Sequence, residues 1–196
     1  MSRAPLALLV AAAVALAGGL VAAKIKVEVQ FDKTRDFRPM KTYAWHPDGD
    51  DVKILQSTAD DPAQWKQRFS PVIRKAVDAT LVTQGLTAVG TADADLFVNF
   101  YLLIGPGGSS QSMGQFLAPV PVWGLPPFAP STSALTVYEQ GTLILDLTDA
   151  KARSVVWRGS ASDALDRTRK EAERDKIVTD AVTQILKKFP PKPPKK

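Results

Sequence analysis

Few side chains in this 196-residue sequence have the type and spacing needed for catalysis. His46 is the only histidine, and cysteine is absent. A nucleophile–histidine arrangement therefore has one imidazole to draw on, and a zinc site built from thiolates or several histidines is excluded. We interpret His46, which precedes Pro47, as a loop residue at the end of a strand.

Five aspartates occupy the polar segment that follows His46. They are Asp48, Asp50, Asp51, Asp60 and Asp61. Several carboxylate oxygens can attract a hard cation such as Ca²⁺. An EF-hand loop starting at Asp48 would place glutamate where Ala59 stands, so the pattern is not met. We expect a solvated acidic loop without a metal.

Asp146 and Asp149 are the best candidates for a carboxylate pair, as in a hydrolase. Such a pair needs one member with a raised pKa, and no sequence signal indicates it. Asp149 is better explained as a turn former, because aspartate accepts a hydrogen bond from the backbone two residues on. Asp146 alternates out of phase with its leucine neighbours and is predicted to face solvent or a helix edge. Trp157 and Arg158 could stack on a ligand, but Trp157 is predicted to be core. No catalytic, cofactor-binding or metal-ligating residue is assigned.

The segment Gly105–Pro130 carries five glycines and six prolines in 26 residues, interleaved with large apolar side chains. Prolines stiffen a chain and lower the entropic cost of presenting such side chains. We predict a contact surface here, with Phe116, Trp123 and Phe128 as contact residues, for a protein partner or a membrane interface. The alternatives are a segment folded over the domain's own sheet, or disorder.

Residues 1–23 have the layout of a secretory signal peptide. Arg3 precedes an apolar run, and small residues stand near Ala23, where cleavage is expected. An N-terminal membrane anchor is the alternative, since about 20 apolar residues span a bilayer. Leu16-Ala17-Gly18-Gly19 resembles a lipoprotein processing box with glycine in place of the lipid-bearing cysteine. We expect an exported protein of the periplasm or envelope of a Gram-negative-type bacterium, without lipid at a cysteine.

The charge pattern is mildly basic, with a formal net charge of +5. Lysines are concentrated at the C-terminus, where residues 190–196 form a predicted Pro/Lys tail. Nucleic-acid binding would need a denser basic stripe, so we expect none. The tail is interpreted as a solubilising segment, with peripheral contact to an anionic surface as the alternative.

The periodicity of the chain predicts one α+β domain over residues 24–189. Alternating apolar residues or long apolar runs indicate five strands, and two stretches have helical spacing. The fold class is a two-layer sandwich, with a mainly antiparallel sheet of about five strands and two helices packed on one face. The predicted strands are 24–32, 42–45, 95–104, 141–148 and 154–161. The first predicted helix begins at Ser70-Pro71 and is ended by Gly85, and the second covers roughly Arg169–Lys188.

Several short motifs in the sequence resemble those of a family of bacterial envelope proteins, domain-of-unknown-function family 4136. They are Phe31-Asp32, Asp36-Phe37, Lys41 to Trp45, Ala94-Asp95-Leu96, the hairpin from Gly141 to Gly159, and the closing helix to Pro191. The resemblance implies an envelope protein related to lipoproteins and brings no established catalytic residues. This chain departs from the family in lacking the cysteine and in its apolar insertion.

These observations favour a non-enzymatic exported protein that binds a protein partner or an envelope component, without a cofactor. The alternative is a carrier for a small ligand or cation, with its pocket under the 105–130 segment. A carboxylate-based hydrolase is the third hypothesis.

Overall fold

The structure, a computed structural model, describes residues 25–47, 49, 61–104, 141–162 and 170–191, with the backbone of residues 51–54. These residues form one mixed β-sheet and two α-helices. The strands are β1 (Lys26–Phe31), β2 (Thr42–Trp45), β3 (Asp51–Ile54), β4 (Thr87–Ala88), β5 (Leu96–Ile104), β6 (Thr142–Asp149) and β7 (Ser154–Ser162). The helices are α1 (Pro62–Thr83) and α2 (Glu171–Leu186).

The sheet confirms the predicted α+β class and adds a parallel part. Strands β1, β7, β6 and β5 are antiparallel neighbours in that order. On the other side of β5, strands β2 and β3 pair in parallel with its two halves, and β4 pairs with β2. Strand β3 was not expected, because it lies in a polar segment that sequence assigns to a loop. Strand β4 has only two residues, too few for a periodic signal.

Helix α1 begins earlier than the serine–proline signal at Ser70 predicts. Asp61 caps the helix by accepting a hydrogen bond from the Ala63 backbone N–H at 2.9 Å, and Pro62 occupies the first turn. Pro71 lies inside the helix, which continues because its apolar residues are buried on both sides of the proline. The predicted end is confirmed: Gly85 follows the C-cap with a φ of 87°.

Both helices pack on the same face of the sheet, as predicted. Their buried stripes meet the inward side chains of β5, β6 and β7 in one core, which includes Trp157 with 0% of its surface exposed. Gly159 lets the sheet and α2 close at this point. A Cβ on Gly159 would lie 2.6 Å from Cη2 of Trp157 and would overlap Ile185 of α2.

The opposite face of the sheet is buried as well. Phe97, Tyr101 and Leu103 of β5 and Ile144 of β6 are at most 6% exposed. The apolar residues on both faces of β5 predict a central strand with cover on each side, and this burial confirms that prediction.

The start of β5 is tied to the start of β2 by Asp95. Its Oδ2 accepts hydrogen bonds from the Lys41 and Thr42 backbone N–H groups at 2.9 and 3.0 Å, and from the Thr42 hydroxyl at 2.9 Å. These bonds, led by the one from Lys41, lower the pKa of Asp95. The carboxylate thus satisfies backbone donors that begin a parallel strand pair.

We expect Asp95→Ala to lower the free energy of unfolding by about 1–2 kcal/mol near neutral pH, because these donors lose their acceptor. Since the folded-state pKa lies below the unfolded value of 3.8, the stabilisation is complete above that value and is lost as the pH falls through the folded pKa. Urea denaturation across this range measures the difference. The exposed Asp93→Ala variant is the control, and a difference that persisted in acid would contradict the assignment.

Candidate ligand-binding cleft

The residues that sequence reasoning selected as a contact surface, Phe116, Trp123 and Phe128, lie outside the described residues. So do the leader and the lysines of the tail beyond Pro191. Lys187 and Lys188, which precede the tail, are exposed just after α2. The predicted roles of the segment, leader and tail stay predictions.

His46 lies directly after β2, where the sequence predicts it. Its backbone N–H donates to the Val98 carbonyl at 3.0 Å, and its ring meets the ring of Phe97 edge-on with centroids 5.4 Å apart. Of the five aspartates that follow it, Asp61 caps α1, Asp51 begins β3, and Asp48, Asp50 and Asp60 fall outside the described residues. Within the described ranges, no three histidine or acidic side chains cluster as metal ligands would.

The prediction that Asp146 faces solvent or a helix edge is wrong. Asp146 is 0% exposed and forms a bidentate ion pair with Arg158, itself 4% exposed. The Arg158 Nε and Nη2 atoms donate to the two carboxylate oxygens at 2.6 and 2.5 Å. Burial raises the pKa of Asp146, and the guanidinium acts in the opposite direction. Asp146 faces away from the leucines, but that second face of the sheet is covered.

A row of polar side chains crosses this second face at one level. Gln30, Arg158, Asp146 and Asn99 are directly paired positions on β1, β7, β6 and β5. The signal that could have found the ion pair is this pairing, because it sets opposite charges across the hairpin. A bidentate pair between opposed positions also fixes the register of β6 against β7.

Asp149 is the turn former that the sequence predicts. Its Oδ1 accepts hydrogen bonds from the Lys151 and Ala152 backbone N–H groups at 2.8 and 2.7 Å. Its Oδ2 lies 3.1 Å from Nη1 of Arg35. Asp146 and Asp149 are therefore both held by structural contacts. Trp157, on strand β7 of the same hairpin, is a core residue, as predicted.

A cleft of about 580 Å³ lies between the β1–β2 connection and the residues after α2. We call it the β1–β2 cleft. Its volume lies in the range of small-molecule sites. Its lining residues are Phe31, Lys33, Thr34, Arg35, Asp36, Phe37, Arg38, Met40, Lys41, Gln84, Leu86, Phe189, Pro190 and Pro191.

Aromatic rings form the floor of the β1–β2 cleft. Phe37 meets Phe31 and Phe189 edge-on, with centroids 6.5 and 5.7 Å apart. Phe189 in turn contacts Trp157, with centroids 5.6 Å apart. The floor is therefore continuous with the core, which gives the cleft a rigid apolar base.

The rim of the β1–β2 cleft is basic. Lys33, Arg35, Arg38 and Lys41 line it, against one acidic residue, Asp36. Arg38 forms a bidentate pair with Asp36 and lowers the pKa of that carboxyl to about 2. In the part of the chain that the structure describes, neither Lys33 nor Lys41 forms a salt bridge through its side chain.

A second pocket, of about 490 Å³, lies beside this rim and is acidic. Its carboxylates are those of Asp32, Asp36, Asp95 and Asp149, against Arg35 and Lys151. Each carboxylate accepts a hydrogen bond from a backbone N–H group, as Asp32 does from Thr34 at 2.8 Å. These acids are thus engaged in shaping the loops.

Sequence reasoning missed the β1–β2 cleft. The available signal was the density of cations in the connection, with Lys33, Arg35, Arg38 and Lys41 inside nine residues. What the sequence could not show is that Phe189 and Pro191, far along the chain, complete the apolar wall.

Comparisons with known proteins identify similar sequences and folds. A family model described as "Domain of unknown function (DUF4136)" matches residues 27–191. No curated protein matches the sequence. A crystal structure of a DUF4136 family protein from Bacteroides thetaiotaomicron is 17% identical, with a TM-score of 0.48, covering 85% of this chain and 96% of that chain.

Two further solved structures are more distant in sequence or size. A PDZ domain protein from Parabacteroides distasonis is 16% identical, with a TM-score of 0.46, and the match covers 86% of this chain but 35% of that one. The PelC dodecamer from Paraburkholderia phytofirmans is 9% identical, with a TM-score of 0.39, covering 82% and 96%. Separately, neither α1 nor α2 has the length and apolar content of a bilayer-spanning helix.

Proposed function

The chain belongs to the DUF4136 family of domains of unknown function, and on that premise we propose that it is a non-enzymatic, exported cell-envelope protein that acts by binding. The ligand is a protein partner or an envelope component. The location follows from the signal-peptide layout of residues 1–23. The sequence holds no cysteine, so lipid attached at a cysteine is not part of the proposal.

The observation that carries the proposal is the β1–β2 cleft. A rigid aromatic floor with a charged rim is the usual composition of a binding site, in which apolar surface supplies affinity and a few polar groups supply orientation. The carrier hypothesis gains from the same cleft. Its pocket would then lie between the β1–β2 connection and the residues after α2, rather than under the 105–130 segment.

The 105–130 segment remains the alternative binding surface. Its stiff, apolar composition supports contact with a partner through Phe116, Trp123 and Phe128. The two surfaces are separable by mutation, because the β1–β2 cleft is lined by residues before and after this segment.

Two variants of the full chain test the proposal. Met40→Trp places a larger side chain in the cleft at a half-buried position, and deletion of Pro106–Pro130 removes the segment. Immobilised wild-type protein is expected to retain a specific component from a detergent extract of the cell envelope, and one of the two variants is expected to lose it. Thermal unfolding checks that each variant is folded.

Unchanged retention by both folded variants would reject binding at either surface. Cell fractionation and the intact mass of the native protein test export separately. A chain that stayed in the cytoplasm with its leader intact would contradict the envelope location.

A further inference from the structure

We propose that the β1–β2 cleft binds a single-chain anionic amphiphile, an ionised fatty acid, with its chain on the aromatic floor and its carboxylate at the basic rim. This inference rests on the proposed binding function and names its ligand class. It follows from the separation of apolar and charged groups within one cleft.

The apolar part of the cleft is suited to a hydrocarbon chain. Phe31 and Met40 are half-buried and lie beside the buried rings of Phe37 and Phe189. Pro191 adds a further apolar surface on the side of the residues after α2. Because these side chains pack against the core, a chain that covered them would remove apolar surface from water at little ordering cost to the protein.

The rim favours an anion. Two of its four cations already have carboxylate partners, Arg35 with Asp149 and Arg38 with Asp36. Lys33 and Lys41 have none within the described residues, and both are exposed. A carboxylate at the rim would give these ammonium groups a charge-assisted hydrogen-bond partner.

The neighbouring acidic pocket strengthens the preference of the cleft for an anion over a cation. It shares Thr34, Arg35, Asp36 and Met40 with the cleft, whereas its other carboxylates, those of Asp32, Asp95 and Asp149, do not line the cleft. An anion is therefore attracted to the cleft and repelled from the pocket beside it. A cationic amphiphile would meet the reverse pattern.

The probe for this proposal is laurate, used below its critical micelle concentration and titrated calorimetrically into the full chain. We expect saturable binding at one site. The double variant Lys33→Gln/Lys41→Gln is expected to raise Kd at least about tenfold, because each exposed lysine contributes part of the attraction for the anion.

The matched control is Lys75→Gln/Lys176→Gln, which removes the same charge from exposed positions on α1 and α2 away from the cleft. We expect it to change Kd by less than about twofold, since remote exposed charges are screened. Dodecyl maltoside, which has the same chain length and no charge, is expected to bind at least about tenfold more weakly than laurate.

Three results would overturn the proposal: no laurate binding, equal loss in both double variants, or equal affinity for laurate and dodecyl maltoside. The proposed binding function is tested separately from the ligand class. If laurate does not bind but Met40→Trp still loses the envelope component, the ligand class is wrong and binding at the cleft stands.

Discussion

Replacing Arg158 with methionine is expected to lower the free energy of unfolding by about 3–5 kcal/mol at neutral pH. Asp146 is fully buried and its two oxygens are held by this guanidinium. Without the cation the carboxylate must either remain charged while buried and unpaired or take up a proton, and both are costly.

The pH dependence of Arg158→Met follows from the same burial. In the variant, the folded-state pKa of Asp146 is raised well above its unfolded value of 3.8, because burial is no longer opposed by the guanidinium. The carboxyl therefore binds its proton more tightly in the folded state, and the loss of stability is greatest above the folded pKa. It shrinks as the pH falls through that pKa towards 3.8. Urea denaturation at about pH 7 and about pH 5 measures the change.

The double variant Asp146→Leu/Arg158→Met separates the charge from the packing. Replacement of both partners removes the uncompensated charge, so its stability should lie close to that of the wild type. Arg38→Met is the surface control, since Arg38 is exposed in its pair with Asp36, and it should have no measurable effect. A small loss in Arg158→Met would show that Asp146 is hydrated despite its burial in the structure.

Replacing Trp157 with alanine is expected to cost about 3–5 kcal/mol. The indole is completely buried and packs against Phe189 and the backbone at Gly159, a point that Ile185 of α2 also approaches. Sheet and helix are already in close contact at Gly159, so α2 cannot move in to fill the space. A cavity therefore remains, and its cost adds to the lost burial.

Thermal and urea unfolding of Trp157→Ala measure this loss, with Val82→Ala as the control. Val82 lies on α1 with 57% of its surface exposed, and its truncation should change stability by no more than about 0.5 kcal/mol. If Trp157→Ala lost as little, the side chain would be a surface residue and the packing described for α2 would be wrong.

Local sequence patterns predicted much of this fold, because strand alternation, helical spacing and helix-ending residues depend on neighbours in the sequence. The alternation of Val27 and Val29 predicts β1, the helical spacing predicts α2 to within two residues at each end, and Gly85 ends α1. The family resemblance is confirmed by the match over residues 27–191. The structure shows the role of one of the motifs that carry this resemblance.

This motif is Tyr43-Ala44-Trp45 on β2. Both aromatic side chains donate to Oδ1 of Asp78 on α1, from the Tyr43 hydroxyl at 2.9 Å and the Trp45 Nε1 at 3.1 Å. Burial and this carboxylate raise the pKa of Tyr43. Arg74 lies one turn before Asp78 on α1, and its Cζ atom is 4.2 Å from the centroid of the Trp45 ring. The motif therefore joins β2 to α1.

What the sequence could not predict depends on contacts between distant segments. Strand β3 forms because β5 offers half of an unpaired edge, and its four alternating residues are too few to stand out within a polar segment. Asp146 is buried because the second face of the sheet is also shielded from solvent. Alternation along a strand shows on which face a side chain lies, but not whether that face is exposed. The β1–β2 cleft exists because Phe189 reaches the rings of a connection near the start of the domain.

The pairing of β1 has a consequence for the order in which the protein can fold. Lys26 pairs with Ser162 and Phe31 with Trp157, so the first of the described strands can pair only after the last of them has been synthesised. The entropic cost of closing so long a loop must be met before the contacts form, and such distant pairing slows folding. The β1 side of the sheet therefore stays unpaired until most of the described chain has been made. An open chain is the form that a narrow translocation channel can pass, which suits the export that we propose.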